Sequence, residues 1–551
     1  MKKYKYILPL LKKIREVIWK KLILLLFLTV LISAFELAIP YITKLVFDKG
    51  IQEKNIQVFL SLIVFAIVLY ILKSLINIVC SKYYAKISNT VIRIIESDLF
   101  NRLIRMPLSF FDRYETGYII SRMDEVSNIS VLFSPLILKI GISLISFFGA
   151  VGMIMFIDYR MLILIVLLVP ILYYVSKRNT YQLKASAVEL SESAAEKFSE
   201  LQIDINSIRD IKGLSIEEKR EKAYQFYIQN MIEKSIKQNI KTAFGNESIL
   251  LFAGIADVLT LLFAGILIIY GQLGIGDYIA IVGYMGKVFS PVQQIASLSI
   301  TIQPALAALA RLSFFYDSKV EQEDMGKMEV EKIKQIEFSN VMFSYPKSKK
   351  VILKDLSFEI KENEKIIIIG ENGTGKSSIT NLILGFYKNY QGKILINGID
   401  LKEYDINKYR KKIKIIAQRN FLFPGTIEEN IAMGLTDIDK EWLENVIDIC
   451  DLRETITWAH QCDFKVNREG TNLSGGQIQR IALARAVICK PDVLILDEVN
   501  NNLDNKAQQM VFDLMDNYLK NTMIIVITHD DKMKNRGDKI INLSKLDKEI
   551  K

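Results

Sequence analysis

The chain has 551 residues and a net charge of 71 − 61 = +10, and at about 150 residues per domain that makes roughly three to four domain-equivalents, so a single small domain is excluded. Half of the residues are hydrophobic and 24% charged, beside a mean hydropathy of +0.22, which excludes low-hydrophobicity disorder. So ordinary a composition with so positive a hydropathy points to two unlike parts, and the charge fits nucleic acid, an acidic partner or a membrane protein with basic loops on one side.

Residues 1–21 hold eight Lys/Arg around apolar positions and no small-residue cleavage site, the pattern of a basic amphipathic surface helix rather than a signal peptide. Long apolar runs follow near Leu22 to Phe47, Val58 to Cys80, Val131 to Ile157, Met161 to Val175, Ile249 to Tyr270 and Tyr278 to Ile302. Most reach the roughly 20 residues that a helix needs to cross about 30 Å of hydrocarbon. The fourth is short and is extended toward Thr180 as a helix with a basic end. Segments 48–57, 158–160 and 271–277 carry only Lys49, Lys54 and Arg160, whereas residues 81–130 carry seven Lys/Arg and 176–248 carry twelve. The positive-inside rule therefore puts the N-terminus and both long loops in the cytoplasm. The expected architecture is a bundle of six transmembrane helices extending into the cytoplasm, over residues 1–317.

Glu36, Lys73, Lys139, Asp257 and Lys287 fall inside the apolar runs, where ionisable groups are costly and face a cavity or a partner helix. Glu36 and Asp257 together could line a cargo cavity that tolerates cations. Pairing with Lys139 or Lys287, or a place near an interface, explains them equally well.

Residues 318–333 are polar and aperiodic and read as a linker. From 334 to 551, short aliphatic runs alternate with helical patterns: KIIIIG at 365–370, KIKIIAQ at 412–418, VLILDE at 493–498 and MIIVITH at 523–529. Such runs describe a parallel sheet covered on both faces, hence an α/β domain. The four cysteines, at 80, 450, 462 and 489, form no CxxC or Cys/His cluster and read as reduced packing residues, and two histidines do not support a His-based metal site.

Gly370-Glu371-Asn372-Gly373-Thr374-Gly375-Lys376-Ser377, followed by Ser378, fits GxxxxGK[ST] between a strand and a helix. The glycines let backbone N–H groups approach phosphate oxygens, Lys376 supplies a point charge and Ser377 can ligate Mg²⁺. The α/β domain is thus expected to be a P-loop ATPase. Asp497 and Glu498 end an apolar strand, where Asp497 can hold Mg²⁺ and Glu498 can polarise the attacking water. His529 ends the next strand, within expected reach of the γ-phosphate.

Ser474-Gly475-Gly476-Gln477, within Asn472 to Arg480 and about twenty residues before Asp497, resembles the signature motif of ATP-binding cassette (ABC) transporters. The resemblance implies that this helix start meets the ATP held by a second subunit, so that two nucleotide domains close head to tail around two ATP molecules. It further implies that Tyr345 stacks on adenine, that Gln418 reaches Mg²⁺ and links the site to the membrane domain, and that Arg468 and Glu469 touch intracellular helices. Asp504 matches the aspartate loop, although Asn501-Asn502 replaces the usual small pair and leaves subunit communication in doubt. Phe111, Asp112, Thr116, Gly117 and Arg122 resemble the first coupling segment of six-span exporters. Ile208 and Lys212 lie in the second, which there docks on the partner's nucleotide domain.

The whole chain thus resembles an exporter-type half-transporter: a multi-pass protein of the bacterial cytoplasmic membrane with its nucleotide domain cytoplasmic, using ATP and Mg²⁺. It would work as a homodimer or beside a sister chain, in contact with the lipid bilayer and a peptide, lipid or drug-like cargo, and without nucleic acid. An importer on the same fold, or a non-transporting ATP-binding sensor or immunity protein, stands as the alternative.

Overall fold

The computed structural model describes residues 8–546 except 115, 134, 322–325, 347, 349, 419, 434, 436–437, 462–463, 468–469, 500–504 and 530. Contacts divide the chain into two units, Met1–Asn101 with Gly117–Asp317, and Arg102–Thr116 with Ser318–Lys551.

The first unit is helical. Helix α1 (Leu8–Leu45) passes into a π-helical stretch, Val46–Gln52, and α2 (Ile56–Leu103) follows. A very short α3 (Leu108–Phe111), which belongs to the second unit, precedes α4 (Thr116–Asp124) and a 3₁₀ segment, Glu125–Phe133. Then come α5 (Pro135–Ile157), α6 (Leu162–Asn206), α7 (Ile208–Leu214), α8 (Glu217–Ile269) and α9 (Ile275–Asp317). Apolar sequence with every backbone group bonded within its own helix is what hydrocarbon demands. The outward residues agree: Leu26, Phe27, Val64, Phe148, Phe156 and Val166 are all exposed, the reverse of a water-soluble bundle.

Among the described residues, five helical stretches are long and apolar enough to cross a membrane: Lys12–Gln52, Ile56–Leu103, Lys139–Ile157, Tyr159–Asn206 and Glu217–Ile269. The sixth apolar run lies in α9, where many side chains from 292 to 313 fall outside the description. The short fourth run does continue as helix, α6 passing through Pro170 to Asn206. With 53 residues at about 1.5 Å each, α8 is about 80 Å long, far more than a bilayer core needs. Beyond the apolar part, α6 and α8 are joined by polar contacts. Arg220 pairs with Glu200 at 2.7 Å and Asp204 at 2.5 Å, Lys237 pairs with Glu189 at 3.0 Å, and Lys241 donates to Ser186 at 2.6 Å.

The second unit holds β1 (Gln335–Phe343), β2 (Leu353–Lys361), β3 (Lys365–Ile369), α10 (Lys376–Ile383), β4 (Tyr390–Ile396), β5 (Ile399–Asp400), α11 (Ile406–Lys412), β6 (Ile413–Ile416), α12 (Ile427–Ile431), α13 (Lys440–Ile449), α14 (Arg453–Gln461), α15 (Gly475–Val487), β7 (Val493–Asp497), α16 (Asn505–Asp513), β8 (Met523–Ile527), α17 (Asp531–Lys534), β9 (Lys539–Asn542) and α18 (Leu543–Leu546). A parallel sheet runs β6-β7-β8-β3-β9 and an antiparallel one β2-β1-β4-β5. Alternation along the parallel strands makes two cores: Ile366, Ile368, Ile495 and Ile525 pack toward the antiparallel sheet side, and Ile367, Leu494, Leu496, Ile524 and Val526 toward the helices α12 to α15. That double covering is why these strands carry unbroken aliphatic runs.

The segment expected as a linker is strapped to this unit. Gly326 N–H donates to the Lys402 carbonyl at 2.7 Å, Met328 N–H to Glu403 at 3.1 Å, and Arg410 grips both carboxylate oxygens of Glu321 at 2.6 and 2.7 Å.

Candidate nucleotide site and membrane cavity

At the C-terminal edge of the parallel sheet, β3 feeds a turn that needs left-handed backbone at Gly373 (φ +84°) and Gly375 (φ +97°). A Cβ on Gly375 would lie 2.7 Å from the end of the Leu353 side chain, so a larger residue would have to displace that side chain as well as adopt a φ that favours glycine. Lys376, first residue of α10, bends back so that Nζ donates to the carbonyls of Gly370 at 2.8 Å and Glu371 at 3.2 Å. It also lies 3.0 Å from His529 Nε2; an ammonium only donates, so that ring nitrogen is the acceptor. Glu371, Asn372, Glu498 and His529 line a pocket of about 550 Å³ here, with Lys534, Asn542 and Ser544 completing it.

The strand β7 delivers the two carboxylates to this edge. Glu498 has φ +52°, a conformation that non-glycine residues enter at a cost and that clusters at functional sites. Its Oε2 accepts from Gln418 Nε2 at 2.7 Å, and its Oε1 lies 3.7 Å from His529 Nε2. Gln418, Glu498 and His529, far apart in sequence, are thus brought together beside the P-loop. Burial, reinforced by the neighbouring Glu498 carboxylate and opposed by Lys376, pushes the Asp497 carboxyl up to about 6. Among the described residues no cluster of three or more His, Cys, Asp or Glu could hold a metal. Oxygen donors on Ser377, Asp497 and Gln418 instead suit a small hard cation that keeps waters and binds partly through phosphates.

Tyr345 is half-buried. Its hydroxyl lies 3.0 Å from Ser378 Oγ and accepts from Asn381 at 3.3 Å, while Tyr387 meets its ring edge-on at 5.2 Å between centroids. The ring is therefore fixed to the helix that follows the P-loop.

The signature residues open α15. Ser474 Oγ accepts from the Gln477 N–H at 3.3 Å and the Gln477 side chain accepts from the Ser474 N–H at 2.9 Å, a capping box. Ser474 and Gly475 are exposed, and a Cβ on Gly475 or Gly476 would meet nothing within 4 Å. The helix start is thus an open surface of backbone donors suited to an anion. Gln479, one turn on, donates to the Val499 carbonyl just after the paired carboxylates. Arg468, Glu469 and Asp504, with the Asn501-Asn502 departure, lie outside the described residues.

Two further anchors have no motif to announce them. Arg485 of α15 donates to the carbonyls of Asn430 at 2.8 Å and Phe421 at 2.9 Å and to Asn430 Oδ1 at 2.8 Å. Asn430 in turn donates to Phe423 and Thr426 at 2.8 and 3.0 Å, so the signature helix holds the segment that follows Gln418. Ser544 of α18 accepts the P-loop N–H of Glu371 at 3.0 Å. Of these residues only Asn430 is buried; Arg485 and Ser544 are partly exposed polar residues that their sequence neighbours do not mark.

In the segment expected to be the first coupling segment, Phe110 is buried, Leu108 packs on the nucleotide unit's core, and Asp112 accepts from the Tyr387 hydroxyl. Burial and that carboxylate drive the Tyr387 phenol well above its ordinary range. Phe111 is exposed at 39% and Thr116 is exposed. Gly117 and Arg122 lie in the helical unit, where Arg122 pairs with Glu125 at 2.8 Å. On α7, Ile211 is buried while Ile208 and Lys212 are exposed, Lys212 reaching Glu217 at 3.2 Å.

Within the helical unit a cavity of about 580 Å³ is lined by Glu36 of α1, Lys73 of α2, Lys139 of α5 and Lys287 of α9, among polar neighbours. Asp257 is not part of it. That residue sits on α8, exposed, while the cavity is walled by other helices, so the expected pairing of Glu36 with Asp257 in one cavity is corrected. Glu36 instead pairs with Lys73 at 2.7 Å and Lys287 at 3.4 Å.

Fold and site together define a P-loop ATPase joined to a bundle of membrane helices. The family description "ABC transporter transmembrane region" matches residues 22–292, and "ABC transporter" matches residues 353–501. The chain belongs to the ABC transporters, with both regions fused in one polypeptide: a multi-pass membrane protein that binds ATP and a transport-coupled ATPase. It is 27% identical over 94% of its length, and 91% of the relative's, to YgaD of Bacillus subtilis, whose name places it among multidrug export ATP-binding/permease proteins. It is 25% identical to an ATP-dependent lipid A-core flippase of Chromobacterium violaceum, over 95% of this chain and 90% of that one. A bacterial Atm1-family ABC exporter, solved with ATP bound, shares the fold with a TM-score of 0.83 at 21% identity, over 96% of this chain and 94% of that one.

Proposed function

We propose that the protein exports a peptide, lipid or amphipathic small molecule across a bacterial cytoplasmic membrane by alternating access, as a six-span half-transporter whose homodimer closes two nucleotide domains head to tail. The observation that carries this reading is the presence, in one chain, of Glu498 held by Gln418 beside a P-loop and of a cavity lined by Glu36, Lys73, Lys139 and Lys287 among membrane helices. The relatives named for multidrug export and lipid flipping support the direction of transport.

In this reading the P-loop amides and Lys376 hold the β- and γ-phosphates, Tyr345 bears on the adenine, and Glu498 takes the proton of the attacking water, oriented by Gln418 and His529. Ser377, Asp497 and Gln418 would hold Mg²⁺, which when bound supplies neutralisation of phosphate charge. Ser474 to Gln477 would complete the partner subunit's site, with Asp504 beside them. Closure would be carried to the membrane helices by Phe111 to Arg122, by Ile208 and Lys212, and by Arg468 and Glu469, so cargo and ATP become thermodynamically linked. The N-terminus and nucleotide unit would be cytoplasmic, as the basic loops require.

The test is ATPase and flux in sealed proteoliposomes with a panel of peptides and lipids, beside Glu498→Gln. ATP-driven outward movement abolished in that variant is expected. Vigorous hydrolysis by Glu498→Gln would sink the base assignment, inward flux would make the protein an importer, and cargo-sensitive ATPase without flux would make it a sensor.

A further inference from the structure

The membrane cavity has a charge inventory that the sequence alone did not reveal. Its described lining holds one carboxylate, Glu36, and three ammonium groups, Lys73, Lys139 and Lys287. The carboxylate is already spoken for: Oε1 meets Lys73 at 2.7 Å, and Oε2 meets Lys287 at 3.4 Å and accepts from Ser146 Oγ at 3.3 Å. A cation entering here would have to displace a lysine from Glu36 and add to a wall that is formally positive by two. Elsewhere in the lining, Ser143 donates to Gln294 Oε1 at 3.1 Å and Gln294 donates to Ser290 at 2.8 Å. Positive groups in a low-dielectric setting are stabilised by anions, and their own desolvation makes an uncompensated excess costly. The volume, about 580 Å³, falls in the range of small-ligand pockets, about 300–1,000 Å³.

We propose that this cavity selects cargo carrying an anionic group, a phosphate or carboxylate on an amphiphile, and that Glu36 is a resident counter-ion. The glutamate holds Lys73 and Lys287 in place until a cargo anion competes for them, and Lys139 meets that anion directly. Glu36 is therefore a competitor of the cargo. This rests on the export reading, in which the cavity is the cargo site, and it reverses the expectation that Glu36 admits cations.

The test uses the full chain in nanodiscs of zwitterionic phosphatidylcholine, without nucleotide, and two amphiphiles with the same tail, dodecyl phosphate and dodecyltrimethylammonium. Radioligand binding should favour the phosphate by at least about tenfold, the ratio that one well-placed charge contact supplies. Lys139→Gln should weaken dodecyl phosphate by about tenfold and Lys139→Arg should retain it, which separates charge from fold. Glu36→Gln should tighten dodecyl phosphate, since two lysines lose their internal partner, and Lys139→Arg serves as the folding reference should Glu36→Gln assemble poorly. Preference for the quaternary ammonium, loss of its binding in Glu36→Gln, or indifference of dodecyl phosphate to Lys139→Gln would overturn the proposal. Because binding is read without ATP, absence of ATP-driven flux in the parent would sink the export reading while leaving this charge assignment standing.

Discussion

Glu36 in the helical unit and Glu498 in the nucleotide unit are the same residue put to opposite use by their partners. Glu498 is held at a strained backbone position with a neutral amide donating to it at 2.7 Å and a histidine at 3.7 Å. Glu36 is held by two ammonium groups, so its charge is already used. The units differ in the same sense as a whole: aliphatic side chains fill the interior around the parallel sheet and clothe the exterior of the membrane helices. What a carboxylate does is decided by what compensates it, and that is set by which solvent the surrounding unit faces.

The sharpest way to break this contrast is to remove each charge. Glu498→Gln should lower the ATPase rate by about 10²–10⁴-fold, the contribution of a positioned general base, with ATP binding retained when followed with a fluorescent nucleotide. A loss of less than tenfold would mean that Glu498 is no more than a structural partner of Gln418.

The next effect is a pH dependence confined to the nucleotide unit. With its carboxyl pushed up to about 6, Asp497 binds a proton in the native state across a window, from the ordinary carboxylate range to about 6, in which the unfolded chain has released it. The native state then binds more protons than the unfolded one, so this group makes stability rise, and not fall, as pH drops through that window. Activity should move the other way. Below about 6 the proton competes with Mg²⁺, and the half-saturating Mg²⁺ for ATPase should rise by up to about tenfold per pH unit. A flat Mg²⁺ requirement from pH 7 to 5 would remove Asp497 from the metal site.

A smaller effect concerns the brace between the signature helix and the segment after Gln418. Arg485→Met keeps the apolar stem and deletes three hydrogen bonds to backbone and side chain. The buried Asn430 side chain and the two carbonyls lose their donors, at a cost of about 2–3 kcal/mol. The denaturant midpoint of the nucleotide unit, followed by intrinsic fluorescence in detergent, should fall accordingly; an unchanged midpoint would show that the loop closes without the brace.

What could be read from sequence follows the range of the interactions concerned. The P-loop and the capped start of α15 are written in contiguous residues, because their function is a backbone conformation set by local glycines and a cap. The parallel sheet was legible for a similar reason: strands such as Val493 to Leu496, covered on both faces, must be aliphatic throughout. The choice among partners for Glu36 was not: Lys287 stood among the alternatives and Lys73 did not, because the pairing depends on the rotation of α1, α2 and α9 about their axes, and a helix that is apolar all round carries no periodicity to fix it. Nor was the allegiance of residues 102–116, which lie between two stretches of the helical unit yet pack with the nucleotide unit. Leu108 and Asp112 reveal that only through the fold that places Tyr387 opposite them.

The smallest effect asks whether the last described helix shapes the nucleotide pocket. Leu543 is buried, and its Cβ lies 3.2 Å from where a Cβ on Gly370 would stand. Asn542 Oδ1 accepts from the Ser544 N–H at 3.1 Å, and Ser544 Oγ accepts from the Glu371 N–H at 3.0 Å. A P-loop works by aiming successive amides at phosphate oxygens, so a hydroxyl that holds one of them sets its direction at the cost of one exposed hydrogen bond. Ser544→Ala releases that amide at a loss of at most about 1 kcal/mol, which corresponds to a rise of up to about fivefold in KM for ATP. With Glu498 and His529 untouched, kcat should be unchanged, and Ser544→Thr should restore KM because its hydroxyl can take the same position. A fall in kcat at constant KM would tie α18 to the base and its partners, and would make the C-terminal contact part of the chemistry instead of the cradle.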